Sequence, residues 1–110
     1  MDSRLLTGTV EMLILEVVSP GPSYGYEIVQ RVTGQSKGYF QLKEGSLYPA
    51  LHRLERKKLL SSFWEEVDGR RRKYYRLTAS GKTVLQTKKQ EWTQFAAGVS
   101  GVLGGADGVA

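Results

Sequence analysis

Residues 44–78 change their hydrophobic period part-way along: EGSLYPALHRLERKKLLSSFWEEVDGRRRKYYRLT. On a helix that turns about 100° per residue, Leu47, Leu51 and Leu54 lie on one side, so the first half predicts an amphipathic helix. In the second half, aromatic and β-branched residues flank an Asp-Gly dipeptide at 68–69, which is a signal for a tight turn. The stretch therefore predicts a helix followed by a β-hairpin.

The side of this helix opposite the leucines is polar and cationic. It carries Gly45, Pro49, His52, Arg53 and Arg56, with Ser46 and Tyr48 on its flanks. Pro49 is compatible with a helix only near the start, because further along it would remove a backbone hydrogen bond. The segment HRLERKK brings four cations and a histidine together within seven residues, so this face is strongly basic.

The predicted hairpin carries a second group of cations after its turn, namely Arg70, Arg71, Arg72 and Lys73. Like charges on neighbouring positions of a hairpin repel each other unless an anionic partner is present. A basic helix face followed by a basic hairpin therefore indicates a polyanionic partner more strongly than the formal net charge of +5 does by itself.

The first part of the chain is predicted to be mostly helical. Apolar residues at helical spacing predict a first helix over 5–18, and the prolines and glycine of SPGPS end it. Ser23 is positioned to cap a short second helix, YGYEIVQRV, which Gly34 ends. A loop follows, in which the alternation of Phe40 and Leu42 predicts a very short strand.

A long final helix is predicted to begin at a Thr78 cap and to fray at Gly98. The order helix, helix, helix, hairpin, helix predicts a winged helix-turn-helix, a mainly α fold with a small β-hairpin, followed by a C-terminal dimerisation helix. We expect residues 1–77 to form the winged helix-turn-helix DNA-binding domain, 78–98 the dimerisation helix and 99–110 a flexible tail.

Composition and motifs exclude several classes of protein. The 110 residues contain no cysteine, which removes disulfides and thiolate chemistry and agrees with a cytoplasmic location. The segment MLILEVV is short and contains Glu16, so we expect neither a signal peptide nor a membrane span. His52 has no orienting carboxylate apart from its sequence neighbour Glu55. Because metal-ligand spacings and cofactor motifs are also absent from the sequence, we expect no enzyme, no metal and no cofactor.

A helix held by one narrow stripe projects its opposite face, and the major groove of DNA admits such a helix. The candidate DNA-contacting residues are Tyr24, Ser46, Tyr48, Pro49, His52, Arg53, Arg56, Arg70, Arg71, Arg72 and Lys73. Arg53 is suited to a guanine edge and Pro49 to a thymine methyl group, whereas Arg56 and Lys57 are nearer the helix end and suited to phosphate or water. Each has an ordinary alternative, because exposed arginines commonly face water and tyrosines such as Tyr24 and Tyr48 commonly pack.

These residues resemble the PadR family of bacterial transcription regulators. The similar segments are LLTGTVEMLILEVV, GPSYGYEI, EGSLYPALHRLERKKLL and GRRRKYYRLTASGKTVL, which cover roughly residues 5–85. The resemblance implies a winged-helix dimer that binds operator DNA, usually as a repressor relieved by a small-molecule effector. It also implies that GSLYPALHRLE lies on the recognition helix and that DGRRRKYY forms the wing.

The chain departs from the family pattern in two places. Lys58 stands where a glycine often ends the recognition helix, so another C-cap is needed there. The C-terminal region is also short, and it resembles the branch of the family that has one dimerising helix instead of a longer helical domain.

The last helix carries an apolar stripe that has nothing left to cover within so small a domain. Pairing with a second copy of the chain would bury the stripe, so it predicts a homodimer. Leu85, Trp92, Phe95 and Val99 are the candidate dimer contacts, with Met12 of the first helix on the partner surface. In some multidrug-responsive relatives, aromatic residues of this helix flank a pore between subunits that stacks flat ligands. Trp92 and Phe95 are therefore also candidates for an aromatic effector pocket, although interface aromatics are common and an anchor role for Trp92 is the preferred interpretation.

Two-fold pairing would place two recognition helices about one DNA turn apart, roughly 34–36 Å, on a pseudo-palindromic operator. The predicted function is thus a sequence-specific transcriptional regulator that binds double-stranded DNA as a homodimer. The alternative is a winged-helix protein–protein interaction module whose basic faces meet an acidic partner, because a fold alone does not determine function.

Overall fold

A computed structural model describes residues 3–104, and the side chains of residues 8–104. The elements are α1 (Ser3–Val18), β1 (Ser23–Tyr24), α2 (Gly25–Gln35), α3 (Glu44–Arg56), β2 (Leu60–Val67), β3 (Arg70–Leu77) and α4 (Ala79–Leu103). The strands form one antiparallel sheet in the order β1-β3-β2. The predicted class, mainly helical with a small hairpin, is confirmed, and the sheet contains one short strand more than the hairpin alone.

The core lies where α1, α2 and α3 meet the base of the hairpin and the first turns of α4. Its buried members are Val10, Ile14, Leu15, Val17, Val18, Ile28, Val32, Leu42, Leu47, Ala50, Leu51, Leu54, Leu59, Leu60, Tyr75 and Leu85. The three leucines predicted to hold α3 are at most 1% exposed. The opposite face of α3 therefore points away from the core, as the helical period requires.

The start of α2 differs from the prediction, because the residue expected to cap it belongs to a strand. Ser23 and Tyr24 pair with β3, and the hydroxyl of the fully buried Ser23 accepts a hydrogen bond from Arg31 Nη1 at 2.7 Å. The cap predicted at Ser23 is thus wrong. The first turn is closed instead by Glu27, whose carboxylate accepts the backbone N–H of Tyr24 at 3.2 Å.

The end of α2 and the following loop also differ in detail. The helix continues through Gly34 to Gln35, and Gly38, with a φ of 83°, closes the last turn with a 2.8 Å backbone hydrogen bond. No strand forms between α2 and α3, so the strand predicted at Phe40 and Leu42 is wrong. Leu42 is buried in the core and Phe40 packs against it, so burial and not sheet pairing fixes this loop.

α3 ends in a Schellman motif in which lysine takes the position usually held by glycine. Lys58 has a φ of 61°, and its N–H donates to the carbonyl of Glu55 at 2.9 Å. The N–H of Leu59 donates to the carbonyl of Leu54, also at 2.9 Å, and both leucines are buried. The C-cap that the missing glycine made necessary is therefore the left-handed lysine itself.

The turn of the hairpin is the predicted one. Asp68 and Gly69 have φ angles of 51° and 78°, and they connect strands whose register runs from Val67 opposite Arg70 to Leu60 opposite Leu77. Two positive φ angles at the centre of a two-residue loop are typical of a type I′ turn, whose twist matches that of the strands.

The final helix begins as predicted and ends later. Thr78 caps α4, since its Oγ1 accepts the N–H of Gly81 at 2.9 Å. The helix passes through Gly98 and ends at Leu103, where Gly104 has a φ of 99°, so the predicted end near residue 98 is wrong. The part of the predicted tail from 99 to 103 is helical, and residues 105–110 lie outside the described part of the chain.

Candidate nucleic-acid interface

α3 presents a continuous exposed face made of Ser46, Pro49, His52 and Arg56. Pro49 lies inside the helix, where its missing N–H leaves the carbonyl of Gly45 without its ladder partner. Gly45 is itself exposed, so water can bind this carbonyl. The proline therefore sits in the second turn and forms an apolar ridge between polar neighbours.

Arg53, the predicted reader of a base, is bound to a buried carboxylate on α1. Its Nε donates to Glu11 Oε2 at 2.9 Å, and the Lys57 ammonium group donates to Glu11 Oε1 at 3.1 Å. The side chain of Glu11 is 5% exposed, whereas that of Arg53 is 34% exposed. Arg53 therefore lies at the boundary between core and surface, in an orientation that the carboxylate fixes.

The charge of Glu11 is maintained by these two partners. Burial raises the pKa of the Glu11 carboxyl, but hydrogen bonds from Arg53 and Lys57, together with their positive charges, lower it by more. The net result is a pKa below the ordinary value of 4.5, so the carboxylate is ionised near neutral pH.

Two tyrosines of the predicted set make packing contacts. The hydroxyl of Tyr48 lies 3.0 Å from the point that a Cβ on Gly25 would occupy, so this side chain crosses from α3 to the first residue of α2. Tyr24 is half-buried and makes an edge contact with Tyr74, with ring centroids 5.6 Å apart. Tyr48 thus joins α3 to α2, and Tyr24 joins β1 to β3.

The two faces of the hairpin carry different cations, because side chains alternate along a strand. The register places Arg70 and Arg72 on one face, and Arg71 and Lys73 on the face that also carries Trp64. Arg70 and Arg71 adjoin the turn and are exposed, whereas Arg72 and Lys73 are half-buried. The four cations therefore do not form one cluster at the tip.

The two inner cations of the hairpin are held by other side chains. The guanidinium carbon of Arg72 lies 4.0 Å from the centroid of the Tyr24 ring, within the range of a cation–π contact. The Lys73 ammonium lies 3.6 Å from a carboxylate oxygen of Glu55 on α3. These contacts fix the hairpin against β1 and α3, and they leave Arg70 and Arg71 as its outermost cations.

Trp64 belongs to the basic surface but was not among the predicted site residues. Its side chain is 55% exposed, and the guanidinium carbon of Arg71 lies 4.9 Å from its ring centroid. The signal was present in the sequence, because a two-residue turn at 68–69 pairs Trp64 with Lys73. Glu11 was missed as well, and its signal was an acidic residue within the apolar part of α1.

The candidate dimer residues on α4 separate into two groups. Leu85 is 5% exposed and belongs to the core, because the first turns of α4 pack on α1 and β3, so its assignment to the dimer or effector surface is wrong. Trp92, Phe95 and Val99 are 50%, 59% and 40% exposed. The rings of Trp92 and Phe95 stack with centroids 5.8 Å apart. They border a hollow of about 260 Å³ whose other lining includes Gly8, Thr9, Met12, Lys88 and Glu91.

Comparison with known proteins identifies the family. The model of the PadR-like transcriptional regulator family matches residues 14–87. The chain belongs to the PadR family. A transcriptional regulator of Mycobacterium tuberculosis is 34% identical over 92 residues, which are 84% of this chain and 83% of that protein.

Solved structures agree with this PadR assignment. A PadR family transcription regulator from Clostridium difficile is 40% identical, has a TM-score of 0.73, and is matched over 87% of this chain and 98% of that one. A transcriptional regulator from Clostridium thermocellum is 32% identical, has a TM-score of 0.81, and is matched over 88% and 95%. Members of the PadR family are transcriptional regulators and not enzymes, and this chain is accordingly a DNA-binding transcription regulator with a winged-helix fold.

Two kinds of feature are absent from the described residues. No helix among them is both long and apolar enough to cross a membrane. They also contain no cluster of three histidine or carboxylate side chains that would hold a metal ion.

Proposed function

We propose that this PadR regulator is a homodimeric repressor that binds a pseudo-palindromic operator and releases it when a small aromatic effector binds. The observation that carries the proposal is the exposure of cations on two elements at once, Arg56 on α3 and Arg70 and Arg71 beside the hairpin turn. Phosphate contacts from two such elements would set the position of the helix in the groove. Such a regulator acts in the cytoplasm, where bacterial DNA lies.

The exposed face of α3 supplies the base contacts in this proposal. Ser46 and His52 offer hydrogen-bonding groups, and Pro49 between them offers an apolar contact for a thymine methyl group. Arg53 uses one of its five N–H groups on Glu11, so the others are available to a guanine edge in a fixed orientation. Arg56, nearer the helix end, contacts phosphate.

The remaining predicted DNA contacts support the surface in this scheme. Tyr24 packs β1 against β3 and Tyr48 packs α3 against α2, and their hydroxyl groups offer hydrogen bonds to phosphate. Arg70 and Arg71 contact phosphates or the adjacent minor groove, while Arg72 and Lys73 hold the hairpin in place.

The homodimer is supported by the apolar residues that α4 leaves exposed. Beyond Trp92, Phe95 and Val99, the additional helical turn exposes Val102 and Leu103, which are 87% and 80% exposed. An exposed apolar stripe of this kind on a monomer marks an interaction surface. Two-fold pairing through it would carry two α3 helices to adjacent turns of the operator.

The effector proposal depends on the hollow beside Trp92 and Phe95. Its aromatic edge is suited to stacking against a flat ring, and Lys88 and Glu91 offer polar contacts at its rim. Tryptophan fluorescence would report binding, and the Trp64→Phe variant removes the second source of signal. Quenching by planar aromatic compounds that also release DNA would support the proposal, whereas unchanged fluorescence across such a panel would contradict it.

A gel shift with the promoter region upstream of its own gene tests the DNA-binding proposal. We expect a complex that survives competition by random duplex and shows two-fold symmetric footprinting. The Arg53→Ala variant should lose about 1–3 kcal/mol of operator affinity and relax one base position. Equal losses on operator and random duplex would contradict base reading by Arg53, and retention of an acidic protein in place of DNA would favour a protein–protein module.

A further inference from the structure

We infer that Glu11 is a specificity-determining residue of the DNA-binding surface, because it orients Arg53 and withdraws Lys57 from phosphate. The inference rests on the proposed function, since it assumes that α3 is the helix that enters the groove. Glu11 would thereby give α1 a role beyond packing, although Glu11 does not itself face DNA.

The geometry joins one carboxylate to two cations, Arg53 on α3 and Lys57 at the C-cap of that helix. Each oxygen of Glu11 accepts one hydrogen bond, from Arg53 Nε at 2.9 Å and from Lys57 Nζ at 3.1 Å. Arg53 and Lys57 are one helical turn apart, so a single carboxylate can bind both. Among the described side chains, Glu11 is the one charged group that is buried.

The location of this carboxylate is difficult to explain by stability alone. A buried charge must be desolvated, and an apolar residue of similar size would often fill the same place at no loss of stability. Glu11 follows the buried Val10 on a helix whose inner side is otherwise apolar. An arrangement that is no more stable than an apolar alternative, but that fixes two side chains, is better suited to setting their orientation.

Cations that are not bound to a carboxylate would increase the affinity of the protein for DNA of any sequence. A lysine or arginine on a long flexible side chain can contact the phosphates of any sequence, and such contacts supply most of non-specific affinity. Glu11 neutralises Lys57 although that side chain is 56% exposed, and it fixes one edge of the Arg53 guanidinium. The bound pair therefore lowers affinity for random DNA while Arg53 remains oriented toward a base.

The test compares Glu11→Gln with the wild-type chain on two duplexes. One is the duplex that the wild-type chain enriches from a random-sequence pool, and the other is the same duplex with its bases shuffled. We expect the variant to bind the shuffled duplex more tightly, with a salt slope steeper by about one to two units, since each phosphate contact contributes about 0.9. The ratio of the two affinities should fall about fivefold or more, the value of one well-made base contact.

The matched control is Glu16→Gln, which removes a carboxylate from the same helix. Glu16 is bound to Lys89 at 2.7 Å and is 44% exposed, and neither residue is part of the proposed DNA surface. We expect its affinity ratio and salt slope to equal those of the wild type. A Glu11→Gln variant that behaves in the same way overturns the inference.

Partial unfolding of Glu11→Gln would lower both affinities by one factor, and it would leave the ratio and the slope unchanged. A second pair of variants keeps Glu11 intact and tests whether Lys57 contacts phosphate. Arg56→Gln should flatten the salt slope by about one unit, whereas Lys57→Gln should leave it unchanged. Equal flattening in both variants overturns the inference. A wild-type chain that enriches no duplex overturns the proposed function itself, and the two failures are thus distinguishable.

Discussion

Gly81 in the first turn of α4 lies directly against the backbone carbonyl of Leu59, the residue that joins α3 to the hairpin. A Cβ at Gly81 would overlap this carbonyl oxygen and the side chain of Leu77. The carbonyl cannot move freely, because it accepts the backbone N–H of Thr78 at 3.1 Å. We therefore predict that Gly81→Ala lowers the free energy of unfolding by about 3 kcal/mol, measured by urea denaturation.

The control for this prediction is Gly34→Ala, near the end of α2. Apart from its chain neighbours and the nearby backbone of its own helix, no atom lies within 4 Å of a Cβ at Gly34, which is exposed. An alanine in a helix is favoured over glycine by up to about 1 kcal/mol, so this variant should be as stable as the wild type or slightly more stable. Equal effects of the two substitutions would show that the overlap at Gly81 is relieved without cost.

Replacing the left-handed lysine at the end of α3 should stabilise the protein. Lys58 has a φ of 61°, a conformation that is unfavourable for a residue with a Cβ but not for glycine. Lys58→Gly should raise the free energy of unfolding by up to about 1 kcal/mol, partly offset by the greater freedom of glycine in the unfolded chain. Arg56→Gly, within the helix, should change it by a similar amount in the opposite direction. Destabilisation in both variants would contradict this account of the C-cap.

Acid should remove the stabilisation that Glu11 provides. The folded-state pKa of Glu11 is lowered below 4.5, so its contribution is present above the unfolded value and is lost as the pH falls through the folded pKa. We predict that Glu11→Gln costs about 2 kcal/mol near neutral pH, and that its difference from the wild type shrinks below about pH 4.5. Denaturation curves over a series of pH values measure this difference. A difference that grows on acidification would contradict the assignment.

We expect Pro49 to lower the stability of the folded protein and to contribute to recognition of the operator. Its ring removes one hydrogen bond from the second turn of α3, and the exposed Gly45 carbonyl recovers only a bond to water. Pro49→Ala should raise the free energy of unfolding by about 1–3 kcal/mol and weaken the preference for operator over shuffled duplex. His52→Ala, on the same face, should change stability by less than about 0.5 kcal/mol. Unchanged operator preference in Pro49→Ala would remove Pro49 from the proposed base contacts.

Local patterns were sufficient for most of the fold. The leucine period identified α3 and its buried side, the Asp-Gly dipeptide at 68–69 identified the hairpin turn, and Thr78 identified the start of α4. Each of these signals acts over a few residues, where backbone geometry and side-chain period decide the outcome. The resemblance to the PadR family depended on the same segments of sequence. The match of the family model to residues 14–87 agrees with that resemblance.

The errors arose where distant residues decide the conformation. Ser23 has the residue type of a helix cap, but pairing with β3 and the hydrogen bond from Arg31 make it a strand residue. Glu11 and Arg53 are 42 positions apart, so their contact could not be counted from the sequence. The same limit applies to Leu85, which shares its stripe with Trp92 but is covered by α1 and β3.

The exposed side of α4 continues past Gly98 with the spacing of a helix-pairing seam. Trp92, Phe95, Val99 and Val102 follow one another at intervals of three, four and three residues. This alternation keeps them on one face, as in the a and d positions of a coiled coil. Because the sequence-based end of the helix excluded Val102, the last member of the stripe comes from the structure alone.

A charge on this stripe should therefore dissociate the proposed dimer. Val102→Asp would bury a carboxylate without a partner, and two-fold symmetry would bring its copy close, so the dimer dissociation constant should rise more than about a hundredfold. Ala97→Asp is the matched control, because Ala97 is exposed on the opposite side of the same helix and receives the same carboxylate. Its cost in helix propensity is at least as large as that of Val102→Asp, because alanine is a better helix former than valine. Sedimentation velocity over a concentration series measures both constants. Equal constants for the two variants would show that α4 does not pair through this face, and the surface around Phe95 would then need another partner.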